Sequence, residues 1–240
     1  MSKPVYRRLL LKLSGESLAG PQKYGLDENV LTQLSIELKE ATDLGVQLGI
    51  VVGGGNIYRG LQGVGRGLDR VPADHMGMLS TVINAIALQN VLESHGVWTR
   101  VLSAIEINEI AEPYIFRRAI RHLEKGRIVI FAAGTGNPYL TTDTAAALRA
   151  SEIKAEIILK ATRVDGVYDK DPEKNSDAVF FPRITYTEAI QKKLRVLDIT
   201  AVTFCQDNQI PIRVFNMNVP GNLLRAIRGE NVGSLVCSHK

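Results

Sequence analysis

Cysteine is scarce: Cys205 and Cys237 are the only two in 240 residues, far apart and outside any Cys-x-x-Cys pair. That scarcity argues against a zinc site and a disulfide framework, and leaves buried free thiols as the expectation. Long apolar runs are missing as well. The N-terminus passes almost directly into Val5-Tyr6-Arg7-Arg8-Leu9-Leu10-Leu11, no small-residue cleavage site follows an apolar stretch, and no other run approaches a membrane span. A cytoplasmic chain with no membrane partner is therefore expected. There is no extended basic block either. Twenty-nine Lys and Arg against 25 acidic residues leave a net charge of +4, which suits an anionic ligand but is too diffuse to require nucleic acid. Repeats, low-complexity tracts and linkers are absent. With 45% hydrophobic and 22% charged residues, the composition fits one globular α/β domain over residues 1–240.

What is present is an alternation of short apolar runs with longer amphipathic stretches. Val5 to Leu13, Gly49 to Val52, Thr99 to Leu102, Arg127 to Ala132, Ile157 to Leu159 and Ile212 to Asn216 read as strands, several buried on both faces. Helical patterns lie between them at Asp27 to Asp43, Ala73 to Ser94, Tyr114 to Glu124 and Thr142 to Ala150, with Gly45 and Gly96 placed to end helices. Strand then helix, repeated, predicts a mainly parallel sheet covered on both faces. Beyond Val164 the texture changes: Asp165-Gly166 has the signature of a tight hairpin, and Asp169-Lys170-Asp171-Pro172 of a polar turn. Helical segments Tyr186 to Leu194 and Asp198 to Asn208 then lead to the Ile212 strand and a short C-terminal helix and strand.

Several junctions carry chemistry. Gly134 to Asp143, reading Gly-Thr-Gly-Asn-Pro-Tyr-Leu-Thr-Thr-Asp, joins a β-branched run to a helix start. It offers backbone N–H groups, hydroxyls and an amide to a small anionic ligand, or else it is an ordinary turn with an Asp or Thr cap. Lys12, followed by Leu13-Ser14-Gly15, is either a solvent-facing residue at a strand tip or a cation aimed at phosphates. Gly53-Gly54-Gly55-Asn56, with Arg59 one turn on, carries an entropic penalty that makes sense where a ligand or another backbone approaches closely. Neither segment fits Gly-x-x-x-x-Gly-Lys-Ser/Thr or Gly-x-Gly-x-x-Gly, so a Walker-type NTPase and a dinucleotide oxidoreductase lose support. Asp74, beside His75, is a cap or first-turn acid, or an acceptor for sugar hydroxyls. His75 has no metal-ligand partner at suitable spacing, and Met76, Met78 and Leu79 read as core or subunit contact. The Leu159 to Pro172 segment, with Tyr168 at the far end of its hairpin, could wall a flat base or be a surface hairpin, while Asp198 caps the next helix or orients Lys12.

Together these motifs resemble the amino acid kinase family, and within it the bacterial uridylate kinases. The resemblance runs over Lys12 to Glu16, Gly53 to Asn56 with Arg59, Asp74 to Met78, Gly134 to Asp143, Lys160-Ala161-Thr162 with Val164 to Val167, and Pro211 to Asn216. It implies a three-layer αβα sandwich with a mainly parallel sheet, assembled as a homohexamer, that transfers the ATP γ-phosphoryl group to UMP in pyrimidine nucleotide biosynthesis. By this resemblance Lys12, Leu13, Ser14, Gly15, Gly55, Arg59, Thr162, Tyr168 and Asp171 contact ATP and its Mg²⁺. Gly54, Asp74, Thr135, Gly136, Asn137, Pro138, Tyr139, Leu140, Thr141 and Thr142 hold UMP, with Asp74 on the ribose. Tyr168 stands where phenylalanine is common.

The acceptor nucleophile is an already anionic phosphate oxygen, so alignment and charge neutralisation replace a general base. Lys12, Arg59, Asp171 and Asp198 are the expected catalytic group, with Asp198 orienting Lys12 and Asp171 organising a metal that arrives with ATP rather than in a protein-only site. The resemblance also implies GTP activation and UTP inhibition, with Gly20, Pro21, Gln22, Lys23, Tyr24, Gly25, Arg100 and Arg127 serving the effector, although Gln89 and Glu93 stand where some relatives carry basic residues. A small-acid kinase of the same family and a catalytically silent nucleotide sensor are the competing expectations.

Overall fold

The computed structural model describes residues 3–22, 24–59, 65 and 67–239. The hydrophobic run near the N-terminus forms β1 (Arg8–Leu13), and it becomes the centre of the sheet because both its faces are apolar. Leu9, Leu11 and Leu13 enter one core while Leu10 enters the other, the period-two alternation of a strand covered on both sides. On one flank lie β2 (Gln47–Val52), β5 (Ile128–Ala132), β3 (Thr99–Ser103) and β4 (Glu112–Pro113); on the other lie β6 (Ile157–Thr162) and β10 (Ile212–Asn216), all parallel to β1. Beyond them β11 (Ser234–Cys237) runs antiparallel to β10 and pairs with β9 (Arg183–Thr185). Among the described residues this makes one sheet of nine strands.

Two layers of helices cover it. α1 (Glu28–Asp43), α2 (Arg70–Ser94) and α7 (Asn222–Ile227) bury Leu34, Leu38, Met78, Val82, Leu223 and Ala226 against the face that carries Leu11. α3 (Phe116–Glu124), α4 (Thr142–Glu152), α5 (Tyr186–Gln191) and α6 (Ile199–Asp207) cover the other face, where Ala145, Ala146, Ala147 and Ala150 let α4 lie close on β1 and β2. Asp27 caps α1 through the amides of Asn29 and Val30, while Gly45 and Gly96 take positive φ of 82° and 79° just past α1 and α2. The expected three-layer arrangement with a mainly parallel sheet is thus the one observed.

Two local expectations need correction. The helix expected from Ala73 begins at Arg70, because Pro72 sits in the first turn, where its missing N–H has no partner to lose. Asp74 is accordingly neither a cap nor a first-turn residue. Asp165-Gly166 makes no tight hairpin either: β7 (Val167–Tyr168) pairs with β8 (Phe180–Phe181), so the hairpin closes through residues 169–179. Gly166 answers to close packing instead, since a Cβ there would lie 2.4 Å from Ser234 Oγ.

The chain leaves β1 for β2 on one side and later returns to β6 on the other, so the strand order reverses at the β1/β6 border. In open parallel sheets, ligand sites form outside the carboxyl ends of strands at such a switch point. Lys12 and Lys160 stand there, on adjacent strands and directly opposite one another in register.

Candidate active site

A cleft of about 680 Å³ opens beside Lys12 and Lys160. Ser14, Thr162, Tyr168 and Asp171, four of the residues expected to contact ATP, line it together with Glu16, Lys193 and Arg195. The Tyr168 ring rests 5.3 Å from that of Phe180, tilted by 55°, so the β7–β8 pair presents a supported aromatic wall. Asp171 heads the turn before Pro172: its Oδ1 accepts the Glu173 amide at 3.1 Å and its Oδ2 is 3.7 Å from Lys174 Nζ. Leu13 points into the core instead, and Gly15 does not line the cleft. A Cβ on Gly15 would meet Gly53 O and Asn56 Oδ1 at 2.6 Å, so its lack of a side chain permits a backbone crossing.

The triple glycine is explained in the same way. Cβ atoms on Gly53 and Gly54 would lie 2.9 Å from Gly15 N and 2.8 Å from Gly77 O, respectively, whereas at Gly55 the nearest atom is 3.5 Å away. Fully buried Asn56 and Asn84 fix this loop: their side-chain amides bond each other at 3.0 and 2.7 Å, Asn84 Nδ2 donates to Gly53 O and Asn56 Nδ2 to Gly25 O. Each amide's polar groups are thereby satisfied without water. Arg59 is exposed, pairs with Glu16, and lies outside the cleft lining.

A second hollow, of about 150 Å³, adjoins the same glycine loop. Gly54, Asp74, Thr135, Leu140, Thr141 and Thr142 line it, along with Gly134 at the head of the expected loop and with Tyr58, Gly77, Met78 and Ala133, which sequence reasoning did not assign to a ligand. Gly136, Asn137, Pro138 and Tyr139 complete the loop without lining the hollow; Asn137 is exposed and, among the described residues, bonds within the loop, to Thr135. Loop and helix are fastened by Asp74, whose Oδ2 accepts the Tyr139 amide at 2.8 Å and Arg70 Nε at 2.7 Å. The Arg70 guanidinium also sits 5.3 Å above the Tyr139 ring. Ala133 and Tyr139 hold φ of 62° and 70°, a left-handed conformation that costs a side-chain-bearing residue about 1–3 kcal/mol and concentrates at functional loops. Thr81 Oγ1 secures the first of them by accepting the Ala133 amide at 2.7 Å.

The two hollows are linked by charge. Lys12 Nζ lies 2.7 Å from Asp143 Oδ1, and Lys160 Nζ donates to Asp143 Oδ2 at 3.4 Å and to Val196 O. The structure therefore brings Asp143, and not Asp198, to Lys12. Asp198 caps α6 through the Ala201 amide at 2.8 Å and accepts hydrogen bonds from Thr141 and Thr144. Thr141 in turn caps α4 through the amides of Asp143 and Thr144. Burial opposes ionisation of Asp143, but the ammonium groups of Lys12 and Lys160 outweigh it and hold the carboxyl below its usual range. Burial likewise pulls Lys160 down, against the stabilising pull of Asp143. Asp143 was read only as the last residue of the Gly134 loop, because its pairing with Lys12 depends on which helix covers which face, a fact of topology.

The expected effector residues do not converge within one chain. Gly20, Pro21, Gln22, Tyr24 and Gly25 belong to the segment tied to Asn56 near the carboxyl ends of the strands, and Lys23 lies outside the described residues. Arg100 and Arg127 stand at the opposite end of the sheet, where Arg100 lies 3.3 Å from Glu93 and 3.8 Å from Glu112, and Arg127 bonds His122. No cluster of three or more metal-ligating side chains occurs among the described residues.

Comparison with known proteins agrees with this architecture. The sequence profile described as Amino acid kinase family matches residues 7–216. A solved UMP kinase from Bacillus anthracis is 39% identical with a TM-score of 0.94, covering 98% of this chain and 97% of that one. A UMP kinase from Ureaplasma parvum is 37% identical with a TM-score of 0.90, covering 97% and 99%. A uridylate kinase from Archaeoglobus fulgidus is 26% identical with a TM-score of 0.73, covering 95% and 99%.

Proposed function

The chain belongs to the amino acid kinase family, and from that membership we infer that it transfers the γ-phosphoryl group of ATP to UMP, giving ADP and UDP. The observation that carries this reading is the Lys12–Asp143 ion pair. Lys12 lines the larger cleft, while Asp143 directly follows Thr142 of the smaller hollow, so one buried contact joins a nucleotide-sized donor space to an acceptor space. The solved relatives named as UMP and uridylate kinases span the whole of this arrangement and supply the identity of the acceptor.

In this reading the ATP base stacks against Tyr168 and its phosphates extend toward Ser14 and Lys12. UMP lies over Gly54, its ribose toward Asp74 and its base along Thr135 to Thr142. The attacking oxygen of UMP is already ionised, so the chain has no proton to remove. Its work is to bring two mutually repelling phosphates into line and to place Lys12 against the charge on the transferred group. Arg59 approaches the same phosphates once Glu16 releases it. Asp171 fits a Mg²⁺ that arrives with ATP, because that ion commonly takes one or two carboxylates and keeps its phosphate and water ligands. When bound, Mg²⁺ neutralises phosphate charge.

The finer expectations belong here as well. We place the enzyme in the cytoplasm, in pyrimidine nucleotide synthesis. A homohexamer built through α2 is supported by Met76, Leu79, Ile83 and Ile86, which recur at helical spacing and are 37–49% exposed. GTP activation and UTP inhibition would then need residues of more than one subunit, since Gly20 to Gly25 and Arg100 with Arg127 lie at opposite ends of the sheet; a flat response to either nucleotide in a steady-state assay contradicts it. The acceptor itself is tested by coupled ADP release with UMP, CMP, dTMP and carbamate offered in turn. UMP is expected to support turnover best, and activity with carbamate but not UMP would overturn the assignment.

A further inference from the structure

Resting on the reading of the chain as an ATP–UMP phosphotransferase, we propose that Lys160 is a positioning residue that holds the Asp143 carboxylate in place while Lys12 turns to the phosphates. Lys12 and Lys160 are register partners on neighbouring parallel strands. Two residues before each, Leu10 and Ile158 enter the core beneath α4, so alternation sends both lysines to that same face. Strands in a sheet lie about 4.8 Å apart, and two ammonium groups leaning the same way at that spacing repel. Asp143, in the first turn of α4, is the carboxylate between them, at 2.7 and 3.4 Å.

The two lysines are held differently. Lys160 is tied on both sides, to Asp143 and to Val196 O, whereas among the described residues Asp143 is the only ion-pair partner of Lys12. Lys12 can therefore leave for a ligand in the cleft, and Lys160 cannot without breaking two contacts. A buried carboxylate abandoned by its sole cation is costly. With Lys160 present, Asp143 keeps one cation when Lys12 departs, and the α4 start that Thr141 caps stays where it is. The charged groups facing Asp143 are Lys12 from β1 and Lys160 from β6, with Asp198 at the head of α6 reaching the same turn through Thr141 and Thr144.

The test is steady-state kinetics of Lys160→Met, with Lys160→Gln as a second variant should the first fail to fold. We expect kcat to fall roughly ten- to a hundredfold, the scale for misplacing a reacting group, with KM for ATP and UMP changed less than about threefold. The acid limb of the kcat profile should move to higher pH, because Asp143 with one cation fewer takes up a proton more readily. In an Asp143→Asn background, Lys160→Met should cost little more, since both changes act through one carboxylate. A folded variant with wild-type kcat, or a loss that leaves the acid limb unmoved and adds fully to that of Asp143→Asn, would overturn the proposal. Wild-type enzyme that fails to phosphorylate UMP would instead remove the functional reading itself.

Discussion

Replacing Asp143 by asparagine removes the carboxylate that lies between two register-paired lysines, and its cost can be worked from the geometry. At 2.7 Å from Lys12 the attraction is about 6 kcal/mol in an effective dielectric near 20, and the 3.4 Å contact to Lys160 is of similar size. Desolvation of the buried ions offsets much of this, and breaking a buried pair from one side costs about 3–5 kcal/mol net. Asparagine keeps a polar group in place, so the lower end applies. For a chain of 240 residues each kcal/mol moves Tm by about 2–4 °C, which gives a fall of roughly 6–12 °C at pH 7. The pH dependence has a defined sign. The Asp143 carboxyl sits below its usual 3.8 in the folded chain, so its contribution is complete above that value and is lost as pH falls through the folded value. Thermal unfolding followed by circular dichroism should show a gap between wild type and variant that is constant near neutrality and narrows only below about pH 4. A Tm within about 2 °C of wild type at pH 7 would refute the claim that pairing of this carboxylate with Lys12 and Lys160 stabilises the fold.

Other substitutions probe separate parts of the site. Lys12→Ala should lower kcat by about a hundredfold or more, as for other preorganised electrostatic groups, and near-normal turnover in a folded variant would remove Lys12 from the chemistry. Arg70→Met frees Asp74 and the Tyr139 ring, so KM for UMP should rise about tenfold, equivalent to 1.4 kcal/mol, while KM for ATP stays close to wild type; equal changes in both would show that Arg70 does not act through the acceptor loop. Ile83→Glu places a charge in the exposed apolar stripe of α2 and should yield smaller species than wild type in sedimentation velocity, with an unchanged assembly speaking against α2 as the interface.

The central sheet was legible because its strands are apolar on both faces and its helices carry a clear stripe: Ile212 to Asn216 and the helix start at Thr142 were placed to the residue. Glu112–Pro113, Phe180–Phe181 and Arg183–Thr185 were not, since strands of two or three residues are too short for periodicity to register. Glycine signals were read correctly as close approach at Gly53 and Gly54 but misread at Gly166, where the sequence cannot tell a turn glycine from one crowded by Ser234 of β11. The same limit applied to the charges. Asp198 and Asp143 look alike as helix-cap acids, and only the packing of α4 over β1 and β6 decides which of them meets Lys12.

The central claim is that the two hollows joined by Lys12 and Asp143 pass a phosphoryl group from one nucleotide to another. Incubating the purified protein with UMP and ATP labelled in the γ-phosphate, then separating the nucleotides, tests it most directly. The account predicts that the label appears in UDP in step with ADP; label that remains in ATP, or is released only as inorganic phosphate, would contradict it.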